Sequence, residues 1–243
     1  MNRYIDTIKK EPLYGETIHY ASMEYGIISD MTILDIGCGE GKMSLFFAMH
    51  DANVIGIDKR SSALKQANEL LKTHSLEKQC LFIKGFGEKI PLPDASVDII
   101  YSRSTIQYMD RPTALEEYFR VLRPEGKVIL IENLPHNPII YVYRIVRRLT
   151  SWSEKKKSYI NSIRGYITHS EISDYSNRFE KAYRKEFHLF RMISIYSSRR
   201  LAFIRHIDTL VGSLDTLLLK YIPGLKRLAW FCLIYCERKK ADV

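Results

Sequence analysis

Short apolar runs alternate with helix-forming stretches over the first half of this 243-residue chain. Such short apolar runs are typical of buried strands and predict strands at about 32–36, 53–57 and 80–84. The stretches after the first two runs have helix formers with apolar spacing and predict helices at 42–49 and 62–72, with Ser61 as the cap of the second. Together these elements predict an α/β fold.

The second half continues the pattern with longer connections. An apolar run from Val97 to Tyr101 and another from Val128 to Ile131 predict two more strands, separated by a helix from Pro112 to Leu122. Thr168 and Glu171 have the spacing of a capping box, which predicts a helix from there to Phe179. The remaining elements are two strands and two helices, predicted at 181–190, 229–238, 138–149 and about 199–220.

A glycine-rich turn, Gly37-Cys38-Gly39-Glu40-Gly41, separates the first predicted strand from the first helix. Glycines let a backbone approach a ligand closely, and N–H groups at a helix start favour such a ligand. Asp58 ends the next strand, where an acid is placed to accept hydrogen bonds from ribose hydroxyls. The spacing is G-x-G-x-G, whereas a dinucleotide site has G-x-G-x-x-G.

These residues resemble the class I S-adenosylmethionine-dependent methyltransferases, of the methyltransferase-11 or ubiquinone-biosynthesis type. The resemblance covers roughly 30–133 and includes Asp98 before a strand and the turn Leu122-Arg123-Pro124-Glu125-Gly126. It implies a Rossmann-like sheet of seven strands, the last antiparallel, with helical cap insertions. It also implies a transferase (EC 2.1.1) that uses S-adenosyl-L-methionine and releases S-adenosyl-L-homocysteine.

The resemblance also implies which residues bind the cofactor. The methionine end is expected at Asp35 and the glycine turn, the ribose at Asp58 beside Lys59, and the adenine at Gly87 and Glu88. Phe86 stands where the family usually has Asp, so a ring is expected to pack on the purine instead. The whole expected set is Asp35, Gly37, Cys38, Gly39, Gly41, Asp58, Lys59, Phe86, Gly87, Glu88 and Ser102.

Candidate residues for the acceptor lie outside these motifs. His136 follows the fifth strand and His19 precedes the first, and each is a candidate general base, although a surface histidine is the plainer interpretation. In the resembled family the first residues lie over the cofactor as a lid, so Tyr14 is expected to face the acceptor; packing on the sheet is the alternative. On a helix over 138–149, three arginines share one face and are expected to bind an anionic acceptor: Arg144, Arg147 and Arg148. A solvated basic face is the alternative.

The predicted organisation is one core with additions. Residues 1–30 are expected to form a helical lid and 31–133 the cofactor-binding core. Residues 134–167 are expected to be a helical cap insertion, and 168–243 the rest of the core, with a helical insertion at about 191–227. No metal-ligand cluster is evident, so no metal is expected.

The distribution of charge and the cysteines indicate which partners and which cellular compartment to expect. Residues 134–243 hold 21 Lys and Arg against 9 Asp and Glu, whereas residues 1–133 hold 16 against 19. The basic half indicates an anionic partner or serves only solubility. Four scattered cysteines suggest no disulfide framework, and the first residues have no apolar signal-peptide core. A cytoplasmic location is therefore expected, and Cys232 and Cys236 are expected to pack in the core.

Three functions remain open on the sequence. The first is methylation of a small molecule of glycan, lipid-linked or natural-product type, on oxygen or nitrogen, with peripheral membrane contact as an open question. The second is RNA methylation, favoured by the basic half but not by the residues after the fourth strand, which read Ser102-Arg103-Ser104. The third is a cofactor-binding scaffold without catalysis. The sequence does not indicate an oligomeric state.

Overall fold

The computed structural model describes residues 15, 28–150, 158, 163–191 and 204–240, and gives only the backbone of 204–207. Seven strands form one sheet in the order β3-β2-β1-β4-β5-β7-β6. This confirms the predicted seven-stranded fold. The strands are β1 (Thr32–Ile36), β2 (Asn53–Asp58), β3 (Cys80–Lys84), β4 (Val97–Arg103), β5 (Leu122–Asn133), β6 (Lys181–Phe187) and β7 (Phe231–Glu237).

Helices cover the sheet and extend beyond it. Two short 3₁₀ helices, Ile106–Tyr108 and Pro223–Leu228, lie in connections. The α-helices of the described residues are α1 (Lys42–Ala48), α2 (Ser61–His74), α3 (Arg111–Val121), α4 (Pro138–Leu149), α5 (His169–Ser176) and α6 (Ile204–Tyr221). The predicted bounds of α4 agree with the structure, and Thr168 and Glu171 form the predicted capping box at the start of α5.

The directions of the strands bring one set of ends together. β1 to β5 pair in parallel, whereas β7 is antiparallel to both β5 and β6. In register, Asn133 of β5 faces Phe231, which also faces Phe187 of β6. The ends of the six parallel-running strands and the start of β7 therefore form one border of the sheet, which we call the carboxyl edge. Ligands of open α/β sheets bind at such an edge.

The two faces of the sheet support separate apolar cores. Alternate residues of a strand point to opposite faces, so Ile33 and Ile129 enter one core while Leu34 and Leu130 enter the other. Helix α1 is almost wholly buried in the first core. Cys232 and Cys236 are buried in the second, as their predicted packing requires. Among the helices that the structure describes, none combines the length and the apolar character needed to cross a bilayer.

Some predicted boundaries are wrong for local reasons. Ser61 is the first residue of α2 and not its cap; Arg60, with extended backbone, occupies the cap position. β6 ends at Phe187 and not at residue 190, because His188 has a φ of 63° and turns the chain out of the sheet.

Asp98, which belongs to one of the motifs shared with the resembled family, forms structural hydrogen bonds. Its carboxylate accepts from the Thr32 N–H at 2.8 Å and from Arg123 Nη1 at 2.7 Å. All three residues lie at the opposite border of the sheet from the carboxyl edge, where β1 and β4 begin. The motif therefore ties the starts of two strands together and does not contribute to the site.

Candidate active site

A glycine turn joins β1 to α1 at the carboxyl edge. Gly37, Gly39 and Gly41 have φ angles of 72°, 56° and 77°, a conformation that glycine adopts at little cost. A Cβ on Gly37 would lie 2.3 Å from the Thr105 side chain, and one on Gly41 would lie 2.7 Å from the ring of Phe82. The turn requires glycine both for its backbone angles and for its packing.

Hydrogen bonds hold the turn against β2. The N–H groups of Gly37 and Cys38 donate to the carbonyl oxygen of Ile57 at 2.7 and 3.1 Å. The Gly39 N–H donates to Asp58 Oδ2 at 2.9 Å. At these three residues the N–H groups expected to face a ligand are directed at the neighbouring strand instead. What the turn offers a ligand is close approach to a backbone without side chains, and not these three N–H groups.

Asp58 stands where the sequence predicts a ribose-binding acid, but its carboxylate has partners within the chain. It is 7% exposed, and Oδ1 accepts from the Arg60 N–H at 2.8 Å and from Arg60 Nε at 3.2 Å. The hydrogen bond to Asp58 raises the pKa of the Arg60 guanidinium above its usual value. The Arg60 side chain is 61% exposed, so an exposed arginine covers the acid.

Asp35 lies beneath the turn. Its carboxylate accepts from Ser44 Oγ at 2.5 Å. Burial raises the pKa of Asp35 to about 6, while the Ser44 hydrogen bond and the charge of Arg103 oppose the shift. Burial also raises the pKa of the neighbouring Cys38 thiol. Cys38 is therefore a packed, protonated thiol and not a nucleophile.

Two adjoining cavities open at the carboxyl edge, with volumes of about 220 and 730 Å³. They share Gly37, Arg60 and Arg103 in their walls. Asp35 lines the smaller cavity and Asp58 the larger. The larger cavity is within the usual range for small-molecule sites, so the predicted cofactor motifs surround a space of suitable size.

The segment after β3 forms one wall of the larger cavity. Phe86 is 56% exposed there, and Gly87 packs so closely that a Cβ would lie 2.7 Å from Met109 Sδ. Glu88 Oε1 accepts from the Asp110 N–H at 3.0 Å, which joins this segment to the start of α3. The exposed ring of Phe86 is available for stacking on a flat ligand.

Comparison with known proteins agrees with this arrangement. Residues 34–130 match the sequence model of a family described as Methyltransferase domain, and this span runs from β1 through most of β5. Over these residues the chain is similar to the class I methyltransferases. The cofactor of this class is S-adenosylmethionine.

Relatives of the methyltransferase domain act on different acceptors. A sterol 24-C-methyltransferase from Aspergillus fumigatus is 32% identical over 48% of this chain and 32% of its own length. A malonyl-[acyl-carrier protein] O-methyltransferase from Pectobacterium atrosepticum is 35% identical over 41% of this chain and 38% of its own length. The chain thus spans about a third of the length of these relatives.

A solved structure extends the agreement in fold beyond the matched segment. The YcgJ protein from Bacillus subtilis aligns over 93% of this chain and 99% of its own, with a TM-score of 0.60 and 18% identity. At that identity the likeness concerns the fold alone. It includes the part of the chain that follows the methyltransferase domain.

The loop after β4 contributes most of the remaining wall of the domain's larger cavity. Arg103, Ser104, Thr105 and Tyr108 line it, and Lys59 Nζ lies 5.8 Å from the centroid of the Tyr108 ring. Ser102, predicted to bind the cofactor, is completely buried in β4 and lines neither cavity. The next residue, Arg103, lines both cavities, because the side chains of successive strand residues point to opposite faces of the sheet.

Glu132, at the end of β5, holds this loop in place through hydrogen bonds to its backbone. Its Oε1 accepts from the N–H groups of Thr105 and Ile106 at 3.1 and 3.3 Å. Burial raises its pKa from 4.5 to about 7, although these hydrogen bonds favour the ionised form. Next to it, Asn133 Nδ2 donates to Ser104 Oγ at 3.1 Å. The end of β5 therefore positions the loop that lines the cavity.

The residues predicted to serve the acceptor lie outside the walls of the two cavities. His136 is exposed between β5 and α4 and lines neither cavity. Arg144 stacks over Tyr166 at 3.6 Å and donates to the Leu134 carbonyl at 3.3 Å. Burial lowers the pKa of Arg144. Tyr14 and His19 lie outside the described residues.

The other two arginines of the predicted patch differ from Arg144. Arg147 is half-buried and Arg148 is exposed, and neither lines the two cavities. The structure therefore does not bring the three arginines together with the cofactor motifs.

Three basic residues in the wall of the larger cavity were not found by sequence analysis: Arg60, Arg103 and Arg164. Arg60 lies two residues after Asp58, and Arg103 lies two residues after the predicted strand end at Tyr101. Their positions in the chain could therefore have indicated both arginines. No local pattern in the sequence indicated Arg164, because it lies in an irregular segment that reaches the wall through tertiary contacts. Its N–H donates to the Gln107 carbonyl at 2.8 Å.

Proposed function

We propose that the protein is an S-adenosylmethionine-dependent methyltransferase that acts on a small-molecule acceptor of glycan, lipid-linked or natural-product type, on oxygen or nitrogen. The observation that carries the proposal is the convergence of the glycine turn, Asp35 and Asp58 on adjoining cavities within the matched methyltransferase domain. A cytoplasmic location belongs to the same proposal and is supported by four free, buried cysteines.

The residues present fit the cofactor. The three glycines of the turn have no side chains, which allows a ligand to lie against the backbone. Asp58 can accept from the two hydroxyl groups of a ribose once Arg60 moves aside. The Arg60 side chain is 61% exposed, so water can take over its hydrogen bonds when a ribose displaces it, and Asp58 keeps the N–H donors of Gly39 and Arg60. The Phe86 ring supplies a flat apolar surface for the adenine.

Bound S-adenosylmethionine supplies an electrophilic methyl group on a positively charged sulfur. The chain itself has to hold the acceptor in line with that group, which is where positioning supplies most of the acceleration. The loop after β4, supported by Glu132 and Asn133, forms the wall best placed to do so. Within the described residues His136 stands away from this wall. A base role for His19, outside the described residues, stays a prediction.

We propose further that the acceptor carries an anionic group. Arg103 and Arg164 line the larger cavity together with Lys59. Guanidinium groups suit phosphate and carboxylate recognition. Binding of the acceptor by Arg144, Arg147 and Arg148 stays a prediction, but the cavity wall favours Arg103 and Arg164.

Calorimetry with the Asp58→Ala variant tests the cofactor assignment. Removing a buried carboxylate that accepts from ribose hydroxyls is expected to weaken S-adenosylmethionine binding by about 1.5–3 kcal/mol. Asp174→Ala, which removes an exposed carboxylate of α5, is the matched control and should bind as the wild type does. Unchanged affinity in Asp58→Ala would rule out the assigned ribose site.

Transfer itself is tested separately. Wild-type protein incubated with labelled cofactor and fractionated cell extract should move the label to a small molecule. Label found only in RNA would overturn the small-molecule acceptor, and cofactor binding without any transfer would indicate a scaffold.

A further inference from the structure

Helix α4 presents an apolar stripe on its outer side. Leu149 is 77% exposed, and four more apolar side chains of the helix are exposed with it: Tyr141, Val142, Ile145 and Val146. Their spacing places them on one side of a helix. A surface helix normally turns such a stripe toward the core. The orientation of α4 is therefore the reverse of the usual one.

Contacts on the opposite side of α4 fix this orientation. Ile140 is buried in the core beneath it, and Arg144 stacks over Tyr166. Asn137 caps the helix by accepting from the Ile140 N–H at 2.9 Å. A rotation that buried the apolar stripe would break these contacts. The exposure of the stripe is thus a fixed property of the fold.

The stripe lies beside the active site. Asn137 Nδ2 donates to the carbonyl oxygens of Leu189 and Leu228 at 3.0 and 2.8 Å, which anchors the start of α4 at the carboxyl edge. Tyr166, on which α4 rests through Arg144, is two residues from Arg164 in the wall of the larger cavity. Whatever covers the stripe therefore lies near the cavity.

A second exposed apolar stripe belongs to the same edge. Asp215, in the middle of α6, accepts from the Leu189 N–H at 2.8 Å and so holds this helix near the end of β6. Leu210 is 71% exposed. At helical spacing from it, α6 also exposes Leu214, Leu217 and Tyr221. Exposed apolar area of this extent marks an interaction surface.

Charge indicates the nature of the partner. Arg148 is exposed beside the stripe of α4, and the chain continues after the helix as Ser151-Trp152-Ser153-Glu154-Lys155-Lys156-Lys157. Residues 134–243 hold 21 basic and 9 acidic side chains. A second copy of a chain with a net charge of +9 would be repelled. Apolar side chains flanked by cations are typical of helices that lie in an anionic membrane interface.

We propose that the apolar stripe of α4 docks the carboxyl edge on an anionic lipid surface. The helix lies in the plane of the interface, with its apolar side chains among the acyl chains and its basic residues at the headgroups. This inference goes beyond methyl transfer, since it rests on the exposure, anchoring and charge of α4 and not on the reaction.

Sedimentation with lipid vesicles tests the proposal. The full chain is expected to bind vesicles of phosphatidylcholine with phosphatidylglycerol, and to bind pure phosphatidylcholine vesicles much more weakly. The Leu149→Glu variant should bind the anionic vesicles at least about tenfold more weakly, because it removes a leucine that the bilayer would bury and adds a negative charge. Leu81→Glu is the matched control, since Leu81 is 59% exposed on β3, far from α4 in the sheet.

Each alternative has its own signature. The proposal is overturned if the wild-type protein does not bind anionic vesicles. It is also overturned if the Leu149→Glu variant binds them as strongly as Leu81→Glu does. A wild-type dimer in size-exclusion chromatography that Leu149→Glu converts to a monomer overturns it as well, since a second copy would then cover the stripe. Calorimetry with S-adenosylmethionine on the same variants should give unchanged affinities, which separates loss of docking from loss of the site or of the fold.

Discussion

At the scale of single residues, Glu132 is a buried acid whose ionisation destabilises the folded chain. Burial raises its pKa from 4.5 to about 7, so the folded chain retains a proton that the unfolded chain loses. Between these two pH values the folded state binds more protons, and the free energy of unfolding therefore falls as the pH rises. Asp35 adds to this fall up to about pH 6.

The Glu132→Gln variant should remove part of this pH dependence. Wild-type protein is expected to lose stability between pH 5 and pH 8, and the variant to lose up to about 3 kcal/mol less, since one unit of pKa is worth about 1.4 kcal/mol. Urea unfolding at both pH values measures the difference. Glu69→Gln, on the exposed side of α2, is the control. Parallel profiles for wild type and Glu132→Gln would contradict the prediction.

Residues inside a motif were predictable, and residues brought in by tertiary contacts were not. Asp35 and Asp58 lie at strand ends, so the sequence alone places them at the carboxyl edge. That Arg60 covers Asp58 was not predictable, because side-chain pairing depends on which rotamer the neighbours allow. Ser102 was predicted to bind the cofactor, but it is buried in β4. The sequence alone did not determine which residues of β4 point into the core and which point to the cavities.

At the scale of elements, Asn137 connects three parts of the chain. Its side chain caps α4 and also bonds the carbonyl oxygens of Leu189 and Leu228, while 1% of it is exposed. A cap alone is worth about 1 kcal/mol. A buried carbonyl left without its donor costs about 1–3 kcal/mol more. Asn137 should therefore contribute more than an ordinary cap.

The Asn137→Ala variant should lose about 2–4 kcal/mol of stability, measured by urea unfolding. Asp110→Ala is the matched control, because Asp110 caps α3 by accepting from the Thr113 N–H at the exposed start of that helix. The control should lose only about 1 kcal/mol. Equal losses would show that the bonds to Leu189 and Leu228 add nothing.

Helices and strands were predicted well where local pattern decides them. The apolar runs gave β1 and β3 to the residue, and Pro138 with Leu149 bounded α4 correctly. The orientation of α4 about its axis was not predictable, because the pattern of an amphipathic helix says nothing about which side meets the protein. Here the stacking of Arg144 on Tyr166 and the burial of Ile140 decide it.

At the scale of the whole molecule, the basic half carries α4, α6 and the segment with Arg164. The sequence showed the charge but not which cations reach the cavity. Arg164 lines it and Arg148 does not. An exposed arginine that binds an anionic group loses part of its attraction in salt.

The Arg164→Gln variant should raise the acceptor KM about fivefold or more at low salt, and less at high salt. Arg148→Gln should leave it unchanged. Steady-state kinetics with the acceptor identified by label transfer compares the two. A larger effect in Arg148→Gln would instead favour the face of α4 as the acceptor site. Cofactor affinity should stay constant in both variants.

The close approach of Gly37 and Thr105 has a consequence for how this protein can change over generations. The methyl and hydroxyl of Thr105 fill the space where a side chain on residue 37 would be. The two loops are distant in the chain, yet the packing of one limits what the other can accept. A side chain at residue 37 would need a smaller residue at 105 and would still be strained by the φ of 72°, so descendants are expected to keep Gly37 even where residue 105 becomes smaller.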